Sequence, residues 1–151
     1  MAGMSDIFEN DTLKLIFNNV GISLIGDTTG ILPSGTIGSL YVSLHTADPL
    51  DSGNQTSFEA NYTGYARVAT PRTTAAWTVT TDGTGLTKAS PTVNIVFPAC
   101  TGGTSTPSFF AIGTATSGTG KLLYVGTITP VVTVTNGITP QLTTSTSIIV
   151  D

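Results

Sequence analysis

At 151 residues, 39% of them hydrophobic, the chain is long enough to bury a core and fits a single domain. Only 9% of its residues are charged, against roughly 25% in an ordinary soluble protein, and the net charge is −4. The five Lys and Arg are scattered from Lys14 to Lys121, which excludes the clustered cations of a nucleic-acid groove. No stretch approaches the ~20 apolar residues of a membrane helix, and the lone Cys100 excludes an intrachain disulfide or a multi-cysteine metal site. Threonine, glycine, serine and valine supply the bulk, a composition that favours pleated strands and leaves a surface prone to association.

In chain order, Asp6 to about Asn19 is the one predicted helix, with Asp6 as cap and Glu9 completing a capping box. Its apolar face is read as Met4, Phe8, Thr12, Leu15, Ile16 and Asn19, widened by Ile7 and Leu13. Asn18, Asn19 and Gly21 supply the stop. The start MAGMSDIFEND has no basic region ahead of an apolar run, so no secretory signal is read. The sequons at Asn54 and Asn61 are then incidental. Ile22 to Ile25 is a short strand or a further helical turn, and Gly26 to Gly38 is a loop punctuated by glycine and proline.

Leu40, Val42 and Leu44 alternate with Tyr41, Ser43 and His45, the period of a half-buried strand. Asp48-Pro49 breaks it. After a long polar loop, Tyr62, Gly64, Ala66 and Val68 line one face of a second strand and Thr63, Tyr65 and Arg67 the other. Pro71 assigns its end to a sheet edge. Trp77 to Thr80 and Leu86 to Ala89 flank the Asp82-Gly83 hairpin signal. Further strands are read at Val93–Phe97, Phe109–Thr114, Leu122–Ile128, Val131–Thr135, Ile138–Leu142 and Ser147–Val150. Thr101 to Pro107 is a loop, Ala115 to Gly120 a turn, and Asn136-Gly137 a second hairpin signal. The expected fold is all-β: one jelly-roll-like β-sandwich domain over 1–151, with about 8–10 short strands, a helix at about 6–19 and a β-rich body from about 38 to 151.

No catalytic constellation is read. Ser43, His45 and Asp48 lack a nucleophile elbow, and Ser43 and His45, two apart on one strand face, stand ~7 Å apart, too far for a direct bond without bending. His45 is therefore expected to hydrogen-bond across the base of the long loop. Gly113 to Lys121 fails as a phosphate loop in spacing and context. Asp48, Asp51 and Glu59 match no calcium-loop spacing and are read as solvated acids, so no metal or other cofactor is expected. Tyr62, Tyr65, Arg67, Arg72 and Trp77 form the richest aromatic-basic cluster, the composition of an interface hot spot, a sugar-stacking surface or a covered core. Glu59 is placed to pair with Arg67 across the loop mouth. Cys100 is read as a small buried thiol.

LYVSLHTADP (Leu40 to Pro49), GNQT (Gly53 to Thr56), YTGYARV (Tyr62 to Val68), Trp77, NIVFPACTGG (Asn94 to Gly103), FFAIGTATSGTGKLLYVG (Phe109 to Gly126) and NGITPQL (Asn136 to Leu142) resemble a group of small tailed-bacteriophage virion proteins, usually labelled tail-fibre proteins. Size and β content are also similar to the jelly-roll cement, or decoration, proteins of phage heads. That resemblance implies a non-enzymatic virion protein made in the host cytoplasm. It would sit outside the head at capsomer junctions, with the major capsid protein and its own copies (dimer or trimer) as partners, and touch neither nucleic acid nor membrane. The alternative is a tail-fibre or baseplate component that meets other tail proteins or a host surface glycan, with Tyr62, Tyr65 and Trp77 stacking on sugar.

Overall fold

The computed structural model describes residues 3–150. Met1, Ala2 and Asp151, the outermost residues of the expected domain, lie outside the described residues. The chain is all-β with one N-terminal helix, 32% strand and 9% helix. In chain order it runs α1 (Asp6–Asn18), β1 (Ser39–His45), β2 (Val68–Pro71), β3 (Trp77–Thr81), β4 (Thr87–Pro91), β5 (Ile95–Val96) and β6 (Thr104–Ser105). Then follow β7 (Phe109–Gly113), β8 (Leu122–Thr127), β9 (Val134–Thr135), β10 (Gln141–Leu142) and β11 (Ile148–Val150). Two compact units emerge, one of residues 1–38, 71–93 and 143–151, the other of 39–70 and 94–142.

The first unit packs α1 on a three-stranded sheet of order β11-β4-β3. Asp82 closes the β3–β4 hairpin, its Oδ1 accepting from the amides of Thr84 (2.8 Å) and Leu86 (3.2 Å). The helix ends where the sequence signals, with Asn19 in the left-handed region at φ 55° and its N–H on the carbonyl of Lys14. Its start differs from expectation. Ser5 is the N-cap and makes no side-chain cap bond, Asp6 is already helical, and Glu9 turns inward. The buried face is Glu9, Leu13 and Phe17, while Ile7 is 77% exposed. The cause is tertiary: Phe17 meets Trp77 edge-on with ring centroids 4.8 Å apart, and Asn18 Nδ2 donates to the Trp77 carbonyl at 2.9 Å, so β3 selects the face.

The second unit is built on a four-stranded sheet of order β2-β1-β7-β8. β1 and β7 run antiparallel with Val42 opposite Ile112 and Leu44 opposite Phe110, and all four are buried. Two small pairs, β6-β9 and β10-β5, complete it. β2 is an edge strand, which is where Pro71 is tolerated. The strand expected over Tyr62 to Val68 does not form before Val68. Tyr65 N–H turns back to the Tyr62 carbonyl, Gly64 has φ 96°, and only Thr63 bridges, to Gly102. The loop expected over Thr101 to Pro107 contains β6, and Asn136-Gly137 joins strands that enter different sheets instead of forming a hairpin. Dipeptide turn signals report a bend but not which strands will pair beyond it.

Trp77 is 2% exposed, so Trp77→Ala is expected to lower folding stability by about 3–5 kcal/mol. Urea unfolding of the full chain measures it, and an unchanged midpoint contradicts the packing described.

Candidate functional site

The long loop after β1 is tied at its neck. Thr46 N–H donates to the Phe58 carbonyl and Ala60 N–H to the Leu44 carbonyl, both at 2.8 Å, which closes residues 47–57 as an Ω-like loop. It folds over the Tyr41-Ser43-His45 face of β1, and for that reason Ser43 and His45 are fully buried and not half-exposed as alternation alone predicts.

Three buried side chains hold the loop. Gln55, fully buried, accepts at Oε1 from Ala115 N–H (2.9 Å), and its backbone N–H donates to the Gly120 carbonyl (3.0 Å). A Cβ at Gly113 or Gly120 would overlap the Gln55 amide, so the β7–β8 turn forms a glycine-walled slot for that side chain. Arg67 is the second. Its Nε and Nη2 donate to the two carboxylate oxygens of Glu59 at 2.7 and 2.8 Å, and the same guanidinium reaches the carbonyls of Ala115 (2.9 Å) and Gly118 (2.8 Å). The planar fork thus joins the loop neck to the β7–β8 turn. Tyr65 hydroxyl donates to Glu59 Oε1 and receives Leu44 N–H, both at 3.0 Å, and burial drives its pKa well above the usual phenol value.

His45 is the third, and here the geometric expectation is overturned. Ser43 Oγ lies 2.8 Å from His45 Nε2, because the imidazole reaches back along the strand farther than Cα spacing suggests. Nδ1 sits 2.8 Å from the Ser57 carbonyl, which can only accept. Nδ1 therefore carries the proton, and Nε2 accepts from the Ser43 hydroxyl. The pair has the form of a nucleophile and base with a carbonyl as third member. Both residues are fully buried, so no substrate carbonyl reaches the hydroxyl, and the arrangement clamps the loop. Burial lowers the His45 pKa from 6.5 despite the Ser57 bond and Glu59, and Arg67 lowers it further.

The five aromatic and basic residues singled out from the sequence are divided between the two units. Tyr62, Tyr65 and Arg67 belong to the second unit, Arg72 and Trp77 to the first. Tyr62 is 3% exposed, donates to the Pro98 carbonyl at 2.9 Å, and has its pKa raised by burial to about 12. Tyr65 stacks on Phe97 and meets Tyr62 edge-on. Arg72 donates to the carbonyls of Leu15 and Ile16 near the end of α1. Asp48 caps its own loop through Leu50 N–H (2.9 Å). Cys100 is buried with Sγ 3.2 Å from the Gly102 carbonyl. No group of three or more His, Cys, Asp or Glu that could hold a metal occurs among the described residues.

The loop instead presents Leu50, 62% exposed at φ 62°, and Phe58, 57% exposed at φ 55°. Left-handed backbone is unusual for bulky residues; here the Leu50 amide and carbonyl are bonded to Asp48 and Gly53, and the Phe58 carbonyl accepts from Thr46 N–H at the neck. Neither was found from sequence, where no signal distinguishes an exposed Phe58 from a core phenylalanine.

The family described as Podophage GP4 fiber I protein gp80 matches residues 3–149. The chain belongs to that family. It is a phage virion structural protein of fibre type. No curated protein matches it. No helix among the described residues is long and apolar enough to cross a membrane. The stretches resembling virion proteins now have a physical role in this gp80-family chain: GNQT supplies Gln55, YTGYARV supplies Arg67, ATSGTG is the turn that receives both, and Tyr65 of YTGYARV holds Glu59 and the Leu44 amide.

Two predictions follow from the clamp. Gly120→Ala should lower stability by about 1–3 kcal/mol, because its Cβ would meet Ala115 at 2.6 Å as well as Gln55, whereas Gly83→Ala, with open space around it, should leave the unfolding midpoint within ~0.5 kcal/mol. The second concerns pH. The folded state disfavours the imidazolium, so below pH 6.5 the unfolded chain binds the proton more readily, and stability falls as pH drops from that value. Melting temperatures at pH 7.5 and 5 should differ less in His45→Gln than in the parent chain; equal differences would remove His45 from the account.

Proposed function

We propose that the protein is a non-enzymatic component of the phage tail fibre, with loop 47–57 and its neck as a rigid contact surface. The match to a fibre family over residues 3–149 carries this reading. The cement reading rested on size and β content, which a fibre protein shares, so the family match favours the tail. A clamped loop suits the role because a preordered surface loses little conformational entropy when it binds. Its partners are other tail proteins, further copies of itself and, at the exposed ring of Phe58, a host surface glycan. Tyr62 and Trp77 are too covered to stack on sugar, and the half-buried Tyr65 has one ring face against Phe97.

Immunogold labelling of intact particles is the deciding test. Beads on the tail support the fibre, and beads confined to the head restore the cement role. Within the fibre reading, Phe58→Gly should keep or raise the melting temperature, since glycine accepts φ 55° without strain, while lowering host-cell adsorption at least tenfold. Unchanged adsorption would remove Phe58 from the contact surface.

A further inference from the structure

Asn136-Gly137 signals a hairpin in the sequence, and the fold puts it to another use. Of the seven asparagines in the chain, Asn136 alone is followed by glycine. Chemically this is the asparagine most open to attack by its own backbone, because glycine has no Cβ to obstruct the approach. In that reaction Gly137 N bonds to Asn136 Cγ, and the bond from Cγ to the side-chain nitrogen breaks. The side-chain NH2 leaves as ammonia with the proton of the Gly137 amide, and a cyclic succinimide remains. Water then opens the ring at either carbonyl, to aspartate or to isoaspartate.

The turn leaves one reactant free and occupies the other. Asn136 and Gly137 are both exposed, and a Cβ built at Gly137 meets nothing within 4 Å, so water reaches the side-chain amide. The attacking nitrogen is held. Gly137 N–H donates to the Cys100 carbonyl at 2.8 Å, and Cys100 N–H donates to the Ile138 carbonyl at 2.8 Å. Ile138 N–H closes the turn on the Thr135 carbonyl at 3.0 Å, with Gly137 at φ 88°. Both flanks are fixed as well. Thr135 lies opposite Thr104 in the β6-β9 pair, Leu142 opposite Ile95 in the β10-β5 pair, and Phe97 N–H donates to the Pro140 carbonyl at 2.9 Å. Cys100 and Val134, each 1% exposed, pack beneath. While its N–H is shared with a carbonyl, Gly137 N cannot give up the proton and turn toward Cγ.

We propose that Asn136 is a masked deamidation site, intact while the bridge from Gly137 to Cys100 is closed and converted to aspartyl and isoaspartyl products when this segment opens. Opening needs only the short β6-β9 and β10-β5 pairs to part, which costs less than unfolding the whole chain. The isoaspartyl product carries the main chain through the former side-chain carbon. That lengthens the turn by one methylene, so the bridge does not re-form in register and the change marks the protein permanently. The proposal is independent of where on the virion the chain sits.

Mass spectrometry of the full chain, incubated in mildly alkaline buffer and then digested with trypsin, tests it. The fragment that follows Lys121 contains Asn136 and no other asparagine. Its conversion should be at least tenfold slower in the native protein than in urea-unfolded chain, and the Gly137 amide should be protected from deuterium exchange. Val134→Ala, which loosens the packing beside the turn, should speed the native reaction threefold or more and leave the rate in urea unchanged. Ile148→Val, a change of core packing in the first unit, should leave both rates unaltered. Equal rates in native and unfolded protein overturn the proposal, as does a Gly137 amide that exchanges freely. Local opening is likewise overturned if Val134→Ala has no effect, or if Ile148→Val speeds the native reaction as much.

Discussion

The second unit depends on one guanidinium. Arg67 is almost fully buried and would be costly there alone, but it meets both oxygens of Glu59 and two backbone carbonyls, so its charge and donors are answered. Because those partners come from the loop neck and from the β7–β8 turn, the ion pair fixes a long polar segment whose composition would otherwise leave it mobile. Gln55 and His45 act in the same way, each a polar group whose burial is tolerable only with its partners in place. The result is a loop stiff enough to hold Leu50 and Phe58 in backbone conformations that bulky residues avoid.

The first unit solves a different problem. A helix of 13 residues and three short strands have little core to share, and the edge-on contact of Phe17 with Trp77 supplies much of its centre. Arg72 serves the helix end and, through Ser34 Oγ, the segment that follows α1, so that segment's position is tied to the core. In both units an arginine converts a weakly specified segment into a defined one, which suits a chain so poor in charge.

The legible part of the fold was what local pattern encodes. β1 follows from alternation, β3, β7 and β8 from short strand-forming runs between turn signals, the end of α1 from Asn19, and the β3–β4 hairpin from Asp82-Gly83. The pairing of Glu59 with Arg67 follows from complementary charge at short separation. What escaped depended on contacts distant in sequence. The helix face was misplaced because Trp77 selects it, and β6 was missed because two residues in a glycine-rich run show no period. The Ser43–His45 bond was discounted because Cα spacing ignores the reach of an imidazole.

From the sequence alone came the class of protein: an all-β chain with an N-terminal helix, sparse in charge and similar to phage virion proteins. Those properties are sums over residues or short-range patterns, and they survive without knowledge of which segments touch. Only the tertiary structure decided that Tyr62 and Trp77 are covered while Phe58, Leu50 and Leu24 are displayed. Exposure is set by what packs on top of a side chain, and the covering groups lie elsewhere along the chain.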